Sequence, residues 1–105
     1  ISRDELKQKL DSKENFHLVM ALAEWAYQAK HIPGSIHFDT IKEAIHTLNK
    51  DDEIVVYCSD ENCIASKALG QLLERNGFTH VCHYAGGLQD WEQSGYPIDG
   101  TWVNS

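Results

Sequence analysis

The stretch Ile54-Val55-Val56-Tyr57-Cys58 ends in a cysteine, and a short polar segment, Ser59 to Asn62, follows it directly. Its apolar run predicts a buried strand. A helical pattern over residues 63–76 begins after the polar segment. A strand, a loop and a helix in this order place Cys58 near the amides of a helix N-terminus, which favour negative charge. Because the thiolate is the reactive form of cysteine, this position predicts a nucleophile, provided that solvent can reach the sulfur.

Short helices and apolar segments alternate along the rest of the chain. The predicted strands are residues 16–21, 36–38, 53–58 and 80–84, and the predicted helices besides 63–76 are residues 2–10, 24–30, 41–48 and 88–94. Asp39 or Thr40 can cap the helix at 41–48. This alternation predicts an α/β fold with a mainly parallel sheet. Such folds bind ligands at the carboxyl ends of their strands, which is where Cys58 lies.

Size and charge narrow the class of protein. The chain has 105 residues, 42% of them hydrophobic, which predicts a single domain over residues 1–105 with an adequate core. A net charge of −7 argues against binding to nucleic acid or to an anionic membrane surface. No stretch approaches the roughly 18–20 apolar residues that span a bilayer. Whether further domains flank this one stays open.

The cysteine count bears on the compartment. Cys58, Cys63 and Cys82 are the three cysteines of the chain. An odd number, in a chain large enough to form a core, argues against a secreted disulfide scaffold. The sequence therefore predicts a reducing compartment, the cytoplasm.

Three further motifs occur in order along the chain. They are His31-Ile32-Pro33-Gly34-Ser35, then Tyr84-Ala85-Gly86-Gly87-Leu88 with Trp91, then Gly95-Tyr96-Pro97. Together with the strand that ends in Cys58, they resemble the rhodanese-like domain family of sulfurtransferases over about Ile1 to Pro97. The resemblance implies a five-stranded parallel sheet flanked by helices. It also implies that Cys58 accepts sulfane sulfur as a persulfide and passes it to a thiol or another nucleophile, on a small molecule or a protein.

The resemblance also implies that backbone amides after Cys58 cradle the persulfide. Two departures from the family pattern argue against activity on thiosulfate: Cys63 stands where an arginine is common, and the first strand lacks its usual Asp and Arg. The acidic loop favours a persulfide donor instead. A non-catalytic interaction or regulatory module is the alternative. The proposed cradle consists of Ser59, Asp60, Glu61, Asn62, Cys63 and Ile64.

Two further residues, Cys63 and Lys67, allow two interpretations each. Cys63 is either a resolving thiol, which attacks the Cys58 persulfide and forms a disulfide, or a packing residue at the helix start. Lys67, one turn further on, either supplies positive charge near the loop or is a solvated surface lysine.

Other readings of the same residues are disfavoured. Zinc bound by Cys58 and Cys63 together with His80, Cys82 and His83 conflicts with the position of the last three on one strand, where neighbours point to opposite faces. A cysteine phosphatase or an arsenate reductase holds its anion in a cysteine loop, for which phosphate chemistry needs an arginine, and no arginine lies between Arg3 and Arg75. We therefore expect no metal and no cofactor. The remaining expectations are structural: His31 and His37 as scaffold, Cys82 in the core, Trp91 packing the last helix and Trp102 partly exposed.

Overall fold

The computed structural model describes residues 1–21, 24–59 and 64–102. Helices and strands alternate within these ranges, so the predicted α/β class is confirmed. None of the helices described is both long and apolar enough to cross a membrane. The elements are α1 (Arg3–Asp11), β1 (His17–Met20), α2 (Glu24–Ala29), α3 (Ile41–Thr47), β2 (Glu53–Tyr57), α4 (Ala65–Arg75), β3 (His80–Tyr84) and α5 (Gly87–Gln93).

The sheet is parallel and has β2 at its centre. Its order is β1-β2-β3 in the part of the chain that is described, and Tyr57 pairs with Met20 on one side and Tyr84 on the other. The strand predicted at 36–38 is reduced to a single bridge between Ile36 and Val19. Ile36 contributes only one N–H and one C=O to β1, because the chain turns toward the start of α3 directly afterwards. Five strands are thus not confirmed.

Alternate residues of β2 enter two separate cores. Val55 and Tyr57 pack with α1 and α5, whereas Ile54 and Val56 pack with α3 and α4. Side chains on successive strand positions point to opposite faces, so a strand covered on both sides is apolar throughout. This is why the continuous apolar run from Ile54 to Tyr57 forms the central strand.

Side-chain caps fix the starts of two helices. Ser2 caps α1 by accepting from the N–H of Glu5 at 3.2 Å. Thr40 caps α3 by accepting from the N–H of Glu43 at 3.2 Å, so Thr40 rather than Asp39 is the cap. Trp91 of α5 is buried and donates its indole N–H to the carbonyl of Pro97 at 2.7 Å, which confirms its predicted packing.

Helix α4 buries only part of the apolar stripe that its sequence predicts, which is Ile64, Ala65, Ala68, Leu69, Leu72 and Leu73. Its buried residues are Ser66, Gly70 and Leu73, while Ile64 and Leu72 of the predicted apolar stripe are 79% and 40% exposed. The helix approaches the sheet along its smallest residue: a Cβ at Gly70 would lie 3.5 Å from Val56 Cγ2. Close approach at Gly70 turns Ile64 and Leu72 outward.

The prediction that Cys82 is a core residue is wrong. Cys82 is exposed and free. Cys82 lies beside the buried Val55 in the sheet. Because β3 is the outer strand of the sheet as described, only part of this strand is covered. Tyr84, on the same face and nearer to α5, is buried.

Candidate active site

Two elements hold the backbone at Cys58. The residue follows β2 directly, at the carboxyl end of the central strand. Its carbonyl accepts from the N–H of Leu88 at 2.8 Å, and the carbonyl of Ser59 accepts from the N–H of Gln89 at 2.7 Å. The first turn of α5 therefore fixes the first two residues of the loop.

Helix α5 is itself anchored through Asp90. One carboxylate oxygen accepts from the Tyr84 hydroxyl at 2.7 Å, and the other pairs with the Arg3 guanidinium at 3.1 Å. Burial, with the hydrogen bond to Asp90, raises the pKa of Tyr84. These contacts connect α1, β3 and α5, so the helix that holds Cys58 has a fixed position relative to the sheet.

The Tyr57 hydroxyl fixes the other side of the site. It accepts from the N–H of Ile32 at 3.0 Å and lies 2.9 Å from Ser35 Oγ. Burial raises the pKa of Tyr57 to about 12. The segment 31–35 is thereby tied to the last residue of β2, which gives this segment the role of a scaffold.

Both histidines of this region make structural contacts. The His31 Nδ1 lies 2.7 Å from the carbonyl of Tyr27, and the two rings stack with centroids 4.2 Å apart. His37 lies near the Met20 carbonyl and Asp39, at 3.4 and 3.3 Å. These contacts agree with the scaffold role expected for both residues.

Cys58 is protected in this structure. It is 1% exposed and is disulfide-bonded, whereas Cys82 is free. The predicted chemistry needs a reduced sulfur that solvent can reach. Reduction of the disulfide and uncovering of the sulfur must therefore precede any reaction at Cys58.

Most of the predicted cradle lies outside the described residues. This applies to Asp60, Glu61, Asn62 and Cys63, so neither their amides nor the resolving role of Cys63 is tested. Ile64 is the N-cap of α4 and makes no side-chain cap. The helix starts at Ala65, two residues later than predicted.

Two further predictions concern charge and metal binding. Lys67 is exposed, which favours its interpretation as a surface lysine. Among the residues described, no three histidine, cysteine or carboxylate side chains lie together as a metal ion requires. His83 instead places its Nε2 2.7 Å from Ser66 Oγ, which links β3 to α4.

Two clefts share Met20 as a lining residue. The α4 cleft, of about 360 Å³, runs past Phe38, Leu69 and Leu72. The tryptophan cleft, of about 160 Å³, is lined by Met20, Trp25, Ala26, Ala29, Lys30, Ser59, Leu88 and Trp102.

Sequence reasoning missed the tryptophan cleft. Trp102 was expected to be partly exposed, and it is 67% exposed. No sequence pattern indicates that Trp25 and Trp102 line the same cleft, because their proximity depends on how the tail folds back. Ser59, the residue after Cys58, also lines this cleft, so the cleft adjoins the candidate site.

Comparison with known proteins agrees with this architecture. The sequence profile of the family described as the rhodanese-like domain matches residues 2–94. The chain is 27% identical to the Alr3790 protein of Anabaena, with a TM-score of 0.86, covering 95% of this chain and 80% of the other. For BH2092 of Bacillus halodurans the TM-score is 0.90 at 22% identity, covering 97% and 77%, which shows the fold alone.

Two relatives from Bacillus subtilis carry functional names. YrkF, named as a sulfur carrier protein, is 29% identical over 93 residues, which is 87% of this chain and 49% of YrkF. YtwF, named as a sulfurtransferase, is 30% identical over 94 residues, which is 88% of each chain. A Mycobacterium tuberculosis protein named as a transcriptional regulator is 29% identical over 94% of this chain and 44% of its own length. The chain thus spans about half the length of two of these relatives.

Proposed function

This chain belongs to the rhodanese-like domain family, and on that premise we propose that it carries sulfane sulfur as a persulfide on Cys58. The observation that carries the proposal is the position of Cys58 at the carboxyl end of the central strand, with its carbonyl held by α5. The names of YrkF and YtwF support sulfur carriage and transfer as the general activity. We place the activity in the cytoplasm, where thiols remain reduced.

The transfer proceeds in two displacements. The Cys58 thiolate attacks the outer sulfur of a persulfide donor, R–S–SH, and the S–S bond of the donor breaks. The leaving thiolate, R–S⁻, takes a proton, and Cys58 is left as Cys58–S–SH. An acceptor thiolate then attacks the same outer sulfur, which frees the Cys58 thiolate for another cycle.

Cys63 is proposed as the resolving thiol. Its thiolate attacks the inner sulfur of Cys58–S–SH, which forms a Cys58–Cys63 disulfide and releases hydrogen sulfide. Two equivalents of an external thiol, which are oxidised to their own disulfide, then restore both cysteines. The disulfide-bonded state of Cys58 supports this proposal, because the resolving step leaves Cys58 in a disulfide.

The direct test is the mass of the reduced protein after exposure to sulfur donors. The protein is treated with a phosphine reductant, desalted, and incubated separately with glutathione persulfide and with thiosulfate. We expect an added mass of one sulfur atom, mapped by peptide analysis to Cys58, with the persulfide donor. Cys58→Ser should lose the adduct, whereas Cys82→Ser should keep it. If neither donor gives an adduct on Cys58, the proposal is overturned.

The burial of Cys58 favours a second candidate function, a non-catalytic binding or regulatory module. A cysteine that solvent does not reach is poorly placed to react. The discriminating measurement is labelling of the reduced protein by a thiol reagent at about pH 6–7, below the usual cysteine pKa. Fast labelling at Cys58 favours sulfur transfer. Labelling confined to Cys82 favours the module.

A further inference from the structure

The tryptophan cleft adjoins the loop that starts at Cys58. Ser59 and Leu88 line it. Ser59 follows Cys58 in the chain, and the N–H of Leu88 donates to the Cys58 carbonyl. Most of the remaining lining is apolar. Trp25 and Trp102 are 69% and 67% exposed. Exposed aromatic side chains around a small apolar cleft offer contact area at low entropic cost, which suits recognition of an organic group.

The tail that carries Trp102 is specifically anchored. The backbones of His31 and Asp99 exchange two hydrogen bonds of 2.8 and 2.9 Å, and the N–H of Trp102 donates to the Ala29 carbonyl at 3.0 Å. Gly100 lies between these anchors with φ +130°, and a Cβ there would come within 2.4 Å of the Ala29 oxygen. The position of Trp102 therefore depends on glycine at 100.

One cation lies among the residues that line this cleft. Lys30 pairs with Glu92 at 2.9 Å, and its side chain is about one-third exposed. An ammonium group has three donors, so the pair with Glu92 leaves Lys30 able to bind a second carboxylate. The cleft thus combines an apolar lining with one lysine, whose ammonium is paired with Glu92, in a chain whose net charge is −7.

From this arrangement we infer that the tryptophan cleft binds the organic part of the sulfur donor or acceptor, a small thiol with an apolar body and a carboxylate. Trp25 and Trp102 contact the body, and Lys30 pairs with the carboxylate. This inference rests on the proposed sulfur transfer at Cys58 and names its substrate class. It assigns Trp102 as a specificity residue and Gly100 as a positioning residue.

Binding is tested apart from chemistry with unreactive thioethers. The Cys58→Ser variant is titrated with methylthio-propanoate, methylthio-butanoate and methylthio-hexanoate, and the indole N–H signals are followed by NMR. We expect the signals of Trp25 and Trp102 to shift, while that of the buried Trp91 does not. The dissociation constant should fall about two- to fourfold for each added methylene until the cleft is filled.

Variants in the same Cys58→Ser background separate the contributions. Trp102→Ala should abolish the dependence on chain length, and Gly100→Ala should do the same although Trp102 is present. Lys30→Gln should remove the preference for a carboxylate over the matching alcohol, a preference of up to about fivefold for a partly exposed pair. Leu72→Ala, in the α4 cleft, serves as the control and should bind as its parent does. Circular dichroism confirms that each variant folds.

The outcomes distinguish this inference from the proposed function. Equal affinity at all chain lengths, or unchanged binding in Trp102→Ala, overturns the inference even where Cys58 forms a persulfide. Chain-length-dependent binding without any persulfide on Cys58 supports the cleft and overturns sulfur transfer. Shifts that appear only with a protein acceptor, and not with the thioethers, also overturn the assignment to a small thiol.

Discussion

The two sides of Cys58 differ in what they bury. On the strand side, Ile54 to Tyr57 are fully buried and enter both cores. On the helix side, Ile64 is 79% exposed, and α4 meets the sheet through Ser66, Gly70 and Leu73 instead. The strand side stabilises the fold, and the helix side leaves apolar surface beside the loop. Isoleucine is therefore a core residue at position 54 and an exposed residue at position 64.

The largest expected effect comes from one substitution made on both sides. Ile54→Ala should lower the free energy of unfolding by about 2–5 kcal/mol, because it leaves a cavity in a buried strand. Ile64→Ala, at an exposed helix cap, should change it by no more than about 0.5 kcal/mol. Urea unfolding of the two variants measures the contrast. Equal losses would mean that the helix side is as tightly packed as the strand side.

A smaller effect is expected from the hydroxyl of Tyr57. Tyr57→Phe leaves the N–H of Ile32 without its acceptor in a buried place, which should cost about 1–3 kcal/mol. The matched control is Tyr96→Phe, whose hydroxyl donates to the exposed Asp4. Removing a bond of that kind should cost less than about 1 kcal/mol. Identical unfolding midpoints for the two variants would show that Tyr57 does not hold segment 31–35 in place.

The raised pKa of Tyr57 predicts a loss of stability in alkali. The unfolded state ionises near the ordinary value of 10, while the folded state holds its proton to about 12. The stability is therefore fully present below pH 10 and is lost as the pH rises from 10 to 12. Each proton released only on unfolding contributes at most about 1.4 kcal/mol per pH unit. Tyr57→Phe should flatten this slope, measured by urea unfolding across the range, and an unchanged slope would contradict the assignment.

The smallest predicted effect is at His83 of β3, whose ring contacts Ser66 on the helix side. Burial, with the positive charge of Lys67, lowers its pKa below 6.5. The unfolded state then takes up the proton first, so this stability is present above pH 6.5 and is lost as the pH falls below it. His83→Gln should reduce the acid loss between about pH 8 and pH 5. A steeper loss in the variant would contradict the sign.

The strand side could be predicted closely from the sequence. A continuous apolar run flanked by polar residues is typical of a central parallel strand, and β2 ends one residue before the predicted boundary at Cys58. The bounds of β3 also match the prediction, although its sequence, His-Val-Cys-His-Tyr, is only partly apolar. Both cores follow from the alternation of side chains along these strands.

The helix side could not be predicted to the same degree. The apolar residues of α4 form a stripe by spacing alone, but spacing does not reveal that Gly70 sets the closest approach to Val56. The outer position of β3, which exposes Cys82, also depends on strand order and not on local pattern. Likewise, the contact of the tail with α2 joins distant parts of the chain. Local patterns give elements, whereas burial depends on which elements become neighbours.

The two hydrogen bonds from α5 to the loop provide an internal reporter. The amide protons of Leu88 and Gln89 are held by the carbonyls of Cys58 and Ser59. A shift of the loop on reduction or sulfur loading would lengthen these bonds and speed the exchange of both protons with deuterium. Because the reporting amides lie in a separate helix, the rearrangement around Cys58 can be followed without attaching a probe to the sulfur.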